Sequence, residues 1–410
     1  MRFPLLAVLA LLLVPPQAKD GGGAAAPAKK PALPAAEERA ALKARVDGAV
    51  AKGIEWLKRQ QTKDGNWGSV PLAEFVFHEG PTALALLALL DSGVYRGEEA
   101  ISRGFEWLLA RDFTKTYDVA ISMMALEAKA TPPEELRARA AGSKAGAGQR
   151  TLNDREREWM QRAAKWLVDN RSGPVWSYPR PGAEPDNSNT QYGILGLKSA
   201  ARCGVKVDRD VWIDALQYFI RAQEPKGPSV KLVRGEAPEE RNAAYAPKTY
   251  AMRAEVLGWG YKPRTAPGEA YGSMTCIGVA SLLIAESELK GYGKYTGKMA
   301  AETARGVRNG LAWLQENFAV DSHPRRGTEY HHYYLYALER AGALSGTDLL
   351  GGRDWYHEGA SHLCDTQKAD GRWVPQGGHG GDLADTCFAL LFLKRSTVPL
   401  GASTPRVSER

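Results

Sequence analysis

Cysteine is scarce. Cys203, Cys276, Cys364 and Cys387 are four residues in 410, irregularly spaced and mostly inside apolar helical runs, which excludes a disulfide framework for a chain of this size. They read as small buried hydrophobes. Strand signals are absent throughout: no period-two run of β-branched and aromatic residues stands out between turn residues. A dense Lys/Arg run interleaved with aromatics is missing as well. With a formal charge of only +7 at this length, nucleic acid is excluded as a partner. Beyond the N-terminus no segment reads as long and apolar enough to span a bilayer, so no transmembrane span is expected.

What is present begins with an export signal. Met1-Arg2 is a short positive start and Leu5 to Val14 an apolar core of about ten residues, the length of a signal peptide and not of a membrane span. Residues 1–18 are expected to be this peptide, which places the mature protein in the periplasm or outside the cell. The Ala, Pro, Gly and Lys of residues 19–40 cannot build a core and are expected to form a disordered linker, as is the tail 397–410. The body, 41–396, has the composition of a globular domain, with 44% apolar and 25% charged residues in the whole chain.

The body is repetitive. Six segments carry the pattern small-x-x-aromatic-large apolar, from Gly53-Ile-Glu-Trp-Leu57 to Gly359-Ala-Ser-His-Leu363, each closing an amphipathic run at helical spacing. A second helical run follows each, and these align without a gap from Pro81 to Leu89, Asp118 to Leu126, Asn189 to Leu197, Met274 to Leu282, Tyr330 to Leu338 and Asp385 to Leu393. The ninth column is Leu in all six, and the fifth and eighth are mostly small. The expected fold is all-α: twelve helices in six hairpins, poorly charged second helices inside. An insertion at about 224–270 reads as a long loop over one face, and a basic loop runs from Ala138 to Arg150.

The stretch Gln61 to Trp67 and its echo Gln367 to Trp373 both read Gln-x-x-Asp-Gly-x-Trp. Gly in the Asp-Gly pair accepts the positive φ of the turn, so the Trp can fold back over the helix it has left. An open solenoid wants atypical end repeats. Here the first and last match best, which favours a closed α/α toroid in which repeat one packs on repeat six.

These motifs, the six hairpins and the small-residue inner helices resemble the terpenoid cyclase and protein prenyltransferase toroid superfamily, the prenyltransferase and squalene oxidase repeat. The resemblance covers about Arg45 to Arg395. Asp186-Asn-Ser-Asn-Thr-Gln-Tyr192 and Asp385 to Phe392 are similar to an exported bacterial branch of it. The resemblance implies either cyclase or zinc chemistry. The cyclase acid motif Asp-x-Asp-Asp does not occur; Asp208-Arg-Asp210 is followed by Val211 and reads as a helix cap. The zinc-binding prenyltransferases hold their metal with Asp-x-Cys and a His; Asp385-Thr-Cys387 matches that spacing, with His332 on the preceding inner helix, although the order of the motifs is reversed.

The register makes a further suggestion. Columns three, seven and ten share a helical face, and column ten varies through Glu127, Lys198, Glu339 and Lys394, as a cavity-facing column would. Column three then sets Gln191, Cys276, His332 and Cys387 at one height, so Cys276, His332, Asp385 and Cys387 are candidate metal ligands. No cofactor is otherwise expected. Tyr192, Tyr333, Tyr336 and Phe388 on the same side would suit an apolar or sugar ligand, or form core. Glu79, Asp118, Asp186, Glu329 and Asp385 lie at or just before inner-helix starts, on one rim. Helix capping explains them, and so would acid–base work on a glycan, with Asp118 and Asp385 as candidate catalytic groups. Three functions remain: a scaffold binding a ligand or an extracytoplasmic protein, a zinc-dependent or terpenoid-type enzyme, and a glycan-active enzyme.

Overall fold

The computed structural model describes residues 36–72, 75–140, 148–179, 183–236, 248–376 and 381–400. The signal peptide, most of the linker and the end of the tail lie outside the described residues. Thirteen α-helices and six short strands are formed among those described: α1 (Ala36–Arg59), β1 (Val70–Leu72), β2 (Phe75–Phe77), α2 (Glu79–Asp91), α3 (Glu99–Leu109), α4 (Thr116–Lys129), α5 (Pro133–Ala140), α6 (Asp154–Asp169), α7 (Asn187–Arg202), α8 (Arg209–Ala222), β3 (Ser229–Glu236), β4 (Lys248–Glu255), α9 (Gly272–Leu289), α10 (Gly297–Glu316), α11 (His331–Ser345), β5 (Leu349–Leu350), β6 (Arg353–Asp354), α12 (Trp355–Thr366) and α13 (Asp382–Leu393).

The two helix types differ as their compositions require. Outer helices are amphipathic; α3 buries only Ile101, Gly104, Phe105 and Leu108. Inner helices are buried nearly all round, as helices without a polar face must be. Every residue of α2 from Gly80 to Leu90 is buried. Contacts among α2, α4, α7, α9, α11 and α13 run in sequence order, and α13 also packs on α2, so the order returns to its start. On the outside α1 packs against both α12 and α13.

Four tryptophans tie the hairpins together in one repeated way. The indole Nε1 of Trp67, Trp176, Trp259 and Trp373 donates to the carbonyl of Leu57, Leu167, Phe219 and Leu363 at 2.7–2.9 Å. These acceptors lie in the last turn of the outer helix, where carbonyls lack helical partners. The backbone N–H of each Trp donates to a threonine in the first turn of the next inner helix, Thr82, Thr190, Thr275 and Thr386. One residue therefore satisfies the end of one helix and fixes the start of the next.

The two Asp-Gly turns add a lateral contact. Gly65 and Gly371 have φ of 88° and 100°. A Cβ on Gly65 would stand 2.8 Å from the Arg103 carbonyl oxygen in α3, and one on Gly371 would stand 2.3 Å from that of Lys52 in α1. Gln61 donates to Gly65 and Ala100, and Gln367 to Gly371 and Ala49. The junction between the last repeat and the first is thus made by the same atoms as the junction between the first and the second.

Several expectations need correction. The region 224–270 is not a loop: β3 and β4 form an antiparallel hairpin with Ser229 opposite Glu255 and Glu236 opposite Lys248, extended through β5 and β6 into a four-stranded sheet. Leu232 is fully buried beneath it, and Gln315 and Asn309 of α10 bond its backbone. Helix α5 is a thirteenth helix without a place among twelve. Residues 36–40, expected in the linker, are helical. Thr397 and Val398, expected in the tail, are packed down: Glu339 accepts from Thr397, and the Val398 carbonyl from Arg202. Helix α9 is long and apolar enough to cross a membrane by length and composition alone, yet 83% of it is buried against its neighbours.

Candidate functional site

The first turns of the inner helices carry most of the chemistry-bearing side chains, and the Trp–Thr contacts hold four of these turns in place. Tyr117, at the start of α4, packs against Phe77, Tyr178 and Tyr192 with ring centroids 5.9, 5.9 and 4.8 Å away. Its hydroxyl donates to Ser188 Oγ at 2.7 Å, and Ser188 Oγ lies 3.1 Å from the Tyr333 hydroxyl. Tyr333 then packs on Phe388 at 5.4 Å, and Phe388 stacks on Tyr336 at 5.8 Å. Tyr192, Tyr333, Tyr336 and Phe388 are therefore brought into one aromatic run. Tyr192 and Tyr336 are buried within it, whereas Tyr117, Tyr178, Tyr333 and Phe388 remain part-exposed and Tyr261 and Tyr330 are 37% exposed.

The rim carboxylates fall into three environments. Asp118 is 2% exposed, accepts from Gly80 N–H through Oδ1 at 2.8 Å, and has Lys115 Nζ 3.6 Å from Oδ2. Burial, then a hydrogen bond with Glu79 and its charge, push the Asp118 carboxyl up to about 7. Asp118 Oδ2 and Glu79 Oε2 are both buried without a donor among the described residues. Beside Glu79 the Asp118 carboxyl is held toward its protonated form, against the nearby Lys115 ammonium.

Asp186 caps α7, accepting from Asn189 N–H at 2.7 Å and Nδ2 at 2.8 Å. Burial raises it to about 6, against the opposing hydrogen bonds from Asn189 and Tyr261. Asp385 differs again: Oδ1 lies 2.8 Å from His332 Nδ1 and Oδ2 accepts from Gly381 N–H at 3.1 Å. The other ring nitrogen of His332, Nε2, is buried and unpartnered among the described residues.

The four candidate metal ligands, Cys276, His332, Asp385 and Cys387, are all buried. Cys276 and Cys387 are fully buried, and burial holds both thiols far above their ordinary range, opposed at Cys276 by Arg340 and reinforced at Cys387 by Asp385. A zinc ligand must be the thiolate. Both oxygens of Asp385 are engaged, by His332 and by Gly381, and no group of three or more His, Cys, Asp or Glu converges among the described residues. Gln191 is fully buried, with neither amide atom partnered among the described residues.

Sequence reading passed over Tyr117, Tyr178, Tyr261 and Ser188. Tyr178 and Tyr261 lie in loops where no period marks them. Tyr117 directly precedes the aligned columns, and its position beside Asp118 was the available signal. Elsewhere, an open cavity of about 630 Å³ lies between the two Gln-to-Trp stretches, lined by Trp56, Trp67, Arg59, Arg372, Asp370 and Asp382 among others. Its charges are paired with one another: Arg372 contacts Asp370 and Asp382, and Arg59 donates to the Asp370 carbonyl.

No family model matches the chain, and no curated protein matches it. Among solved structures the chain is similar to the apo form of the type II terpene cyclase MstE from Scytonema, with 10% identity and a TM-score of 0.47 over 86% of this chain and 98% of that one. A variant of that cyclase in complex with geranylgeranyl dihydroxybenzoate, its substrate, is similar at 12% identity and a TM-score of 0.43 over 87% and 99% of the two chains. Another variant, in complex with the product merosterolic acid A, is similar at 12% identity and a TM-score of 0.43 over 87% and 98%. At such identities and scores neither a residue role nor a substrate transfers to this chain.

Proposed function

We propose that this protein is an exported, closed α/α toroid that binds a ligand across the mouth formed by the inner-helix starts, and that the ligand is of the saccharide class. The observation carrying this reading is the run Tyr117–Ser188–Tyr333, which fixes the tyrosine hydroxyls while both tyrosine residues keep part of their surface exposed. Part-exposed rings beside carboxyl groups and further tyrosine hydroxyls suit a molecule with an apolar face and a hydroxylated edge. Such rings are rigid contact surfaces with little entropy to lose on binding.

The test is fluorescence and calorimetric titration with soluble neutral and acidic oligosaccharides, with prenyl alcohols as the contrasting set. Binding of at least one oligosaccharide, weakened about tenfold by Tyr117→Ala and by Phe388→Ala, is expected from loss of an aromatic contact. Binding of the prenyl alcohols alone would reverse the assignment to an apolar ligand.

The raised Asp118 carboxyl favours a second reading, acid-assisted cleavage of a bound glycan. A carboxyl that stays protonated near pH 7 can donate to a leaving oxygen. The charge coupling of Asp118 to Glu79 makes Asp118 a single donor and not a member of the separated pair that glycosidases place across the scissile bond. Product release from a polysaccharide panel by the wild type, lost in Asp118→Asn with binding retained, is the outcome this reading requires.

A further inference from the structure

At the opposite end of the ring, where the inner helices finish, lies a small half-open void of about 60 Å³. Leu87, Met124, Leu195 and Ile284 form apolar wall, Tyr336 and Arg340 project from α11, and Ser396 to Val398 cross the opening. A single water needs about 10–15 Å³ of such space, so the void holds a few waters or one small ion.

Most of the charges around it are matched in direct pairs. Arg139 donates to Asp91 and to the Ser396 carbonyl. Arg202 donates to Glu127 and to the Val398 carbonyl. Lys198 is bonded to Glu288 and Ser287. Glu339, beside Arg340 in sequence, gives both carboxylate oxygens to Thr397. Two charges are left over, Glu339 and Arg340, which act on each other, and of the two Arg340 lines the void. It is 2% exposed, its guanidinium lies 4.3 Å from the centroid of the Tyr336 ring, and neither Nη1 nor Nη2 has an acceptor among the described residues. The ring satisfies one face of the guanidinium but not the N–H groups in its plane.

A buried guanidinium with two idle donors aimed into a void calls for an anion, because water meets the hydrogen bonds and leaves the charge. Gln191 gives an independent sign of a missing polar occupant. It shares a helical stripe with Leu195 and Lys198 of the void wall, and both its amide atoms are buried and unpartnered among the described residues. We propose that this void is a binding site for one small oxyanion of the carboxylate or phosphate class, held by the planar fork of Arg340. Arg matches such groups with two parallel N–H···O bonds, which a lysine cannot reproduce. This site is separate from the tyrosine-lined mouth and does not depend on the saccharide reading.

The test is thermal melting and calorimetry of the full chain with sodium phosphate and, separately, sodium acetate, each at ionic strength fixed with sodium chloride. A saturable rise in Tm with one of the two salts is expected, and which salt acts identifies the anion. Arg340→Met should abolish the rise while Arg305→Met, an exposed control, retains it. If Arg340→Met does not fold, Arg340→Lys should bind the same anion at least severalfold more weakly. No saturable rise with either salt would mean that the void holds water only and would overturn the proposal. An equal rise in Arg340→Met or Arg340→Lys would overturn it too.

Discussion

Replacing Asp118 by Asn isolates the free energy held in the acid pair at the mouth. Asn keeps an oxygen for the Gly80 N–H and offers Nδ2 to Glu79, so the geometry survives while the carboxyl proton is no longer needed. Burial, followed by the hydrogen bond and charge of Glu79, raises the Asp118 carboxyl from its ordinary 3.8 to about 7. A carboxyl raised on folding gives stability that is fully present below pH 3.8 and is lost as pH rises through about 7, because the folded state binds the proton more tightly. At about 1.4 kcal/mol per pH unit, that interval corresponds to ~4 kcal/mol. The assay is urea unfolding of wild type and Asp118→Asn at pH values from 4 to 9. The two should lie within ~1 kcal/mol at pH 4, and the variant should be more stable by up to ~4 kcal/mol at pH 9. Asp186, Asp91 and Glu339, raised by burial to about 6, 6 and 7, titrate in both proteins and cancel in the difference. A difference that stays flat from pH 4 to 9 would refute the raised Asp118 carboxyl.

The remaining predictions concern architecture. Gly371→Ala, which forces a side chain into positive φ and against the Lys52 carbonyl, should destabilise by ~2–3 kcal/mol in chemical denaturation, and Gly65→Ala should act in the same direction. Gln367→Ala removes two hydrogen bonds and should cost ~1–3 kcal/mol by the same measurement. Thr190→Val, which leaves the Trp176 N–H buried without its acceptor, should cost ~1–3 kcal/mol, with the indole packing preserved in near-ultraviolet circular dichroism.

How legible each part was follows from its physics. Helix hairpins were readable because small residues recur in columns five and eight of the inner helices. The closing contact was readable in outline from the match between Gln61–Trp67 and Gln367–Trp373. The Trp176 and Trp259 versions were missed because no Asp-Gly turn accompanies them; what they share with the others is a threonine one turn into the next helix, at a spacing set by three-dimensional proximity. The β3–β4 hairpin was missed although Val230 and Leu232 alternate with Ser229 and Lys231. That alternation is short, and the strand is stabilised by Gln315 and Asn309, which are distant in sequence. At the site, Tyr192, Tyr333, Tyr336 and Phe388 were placed on one side by register alone. The pairing of Glu79 with Asp118 was not visible, because register fixes height along a helix and says nothing of which side chain turns toward which.

The bond from Gln367 to the Ala49 carbonyl joins residues 318 positions apart. Every other junction can form while the chain is still an arc; this one waits for both ends, and closing so long a loop is entropically slow. In the interval the arc displays two complementary surfaces, the α1 face and the α13 face, each shaped for the other. Intramolecular closure competes with a meeting of two arcs head to tail. At high protein concentration the by-product to look for in refolding is therefore an exchanged dimer, two arcs sharing two seams, with every local contact of the monomer intact.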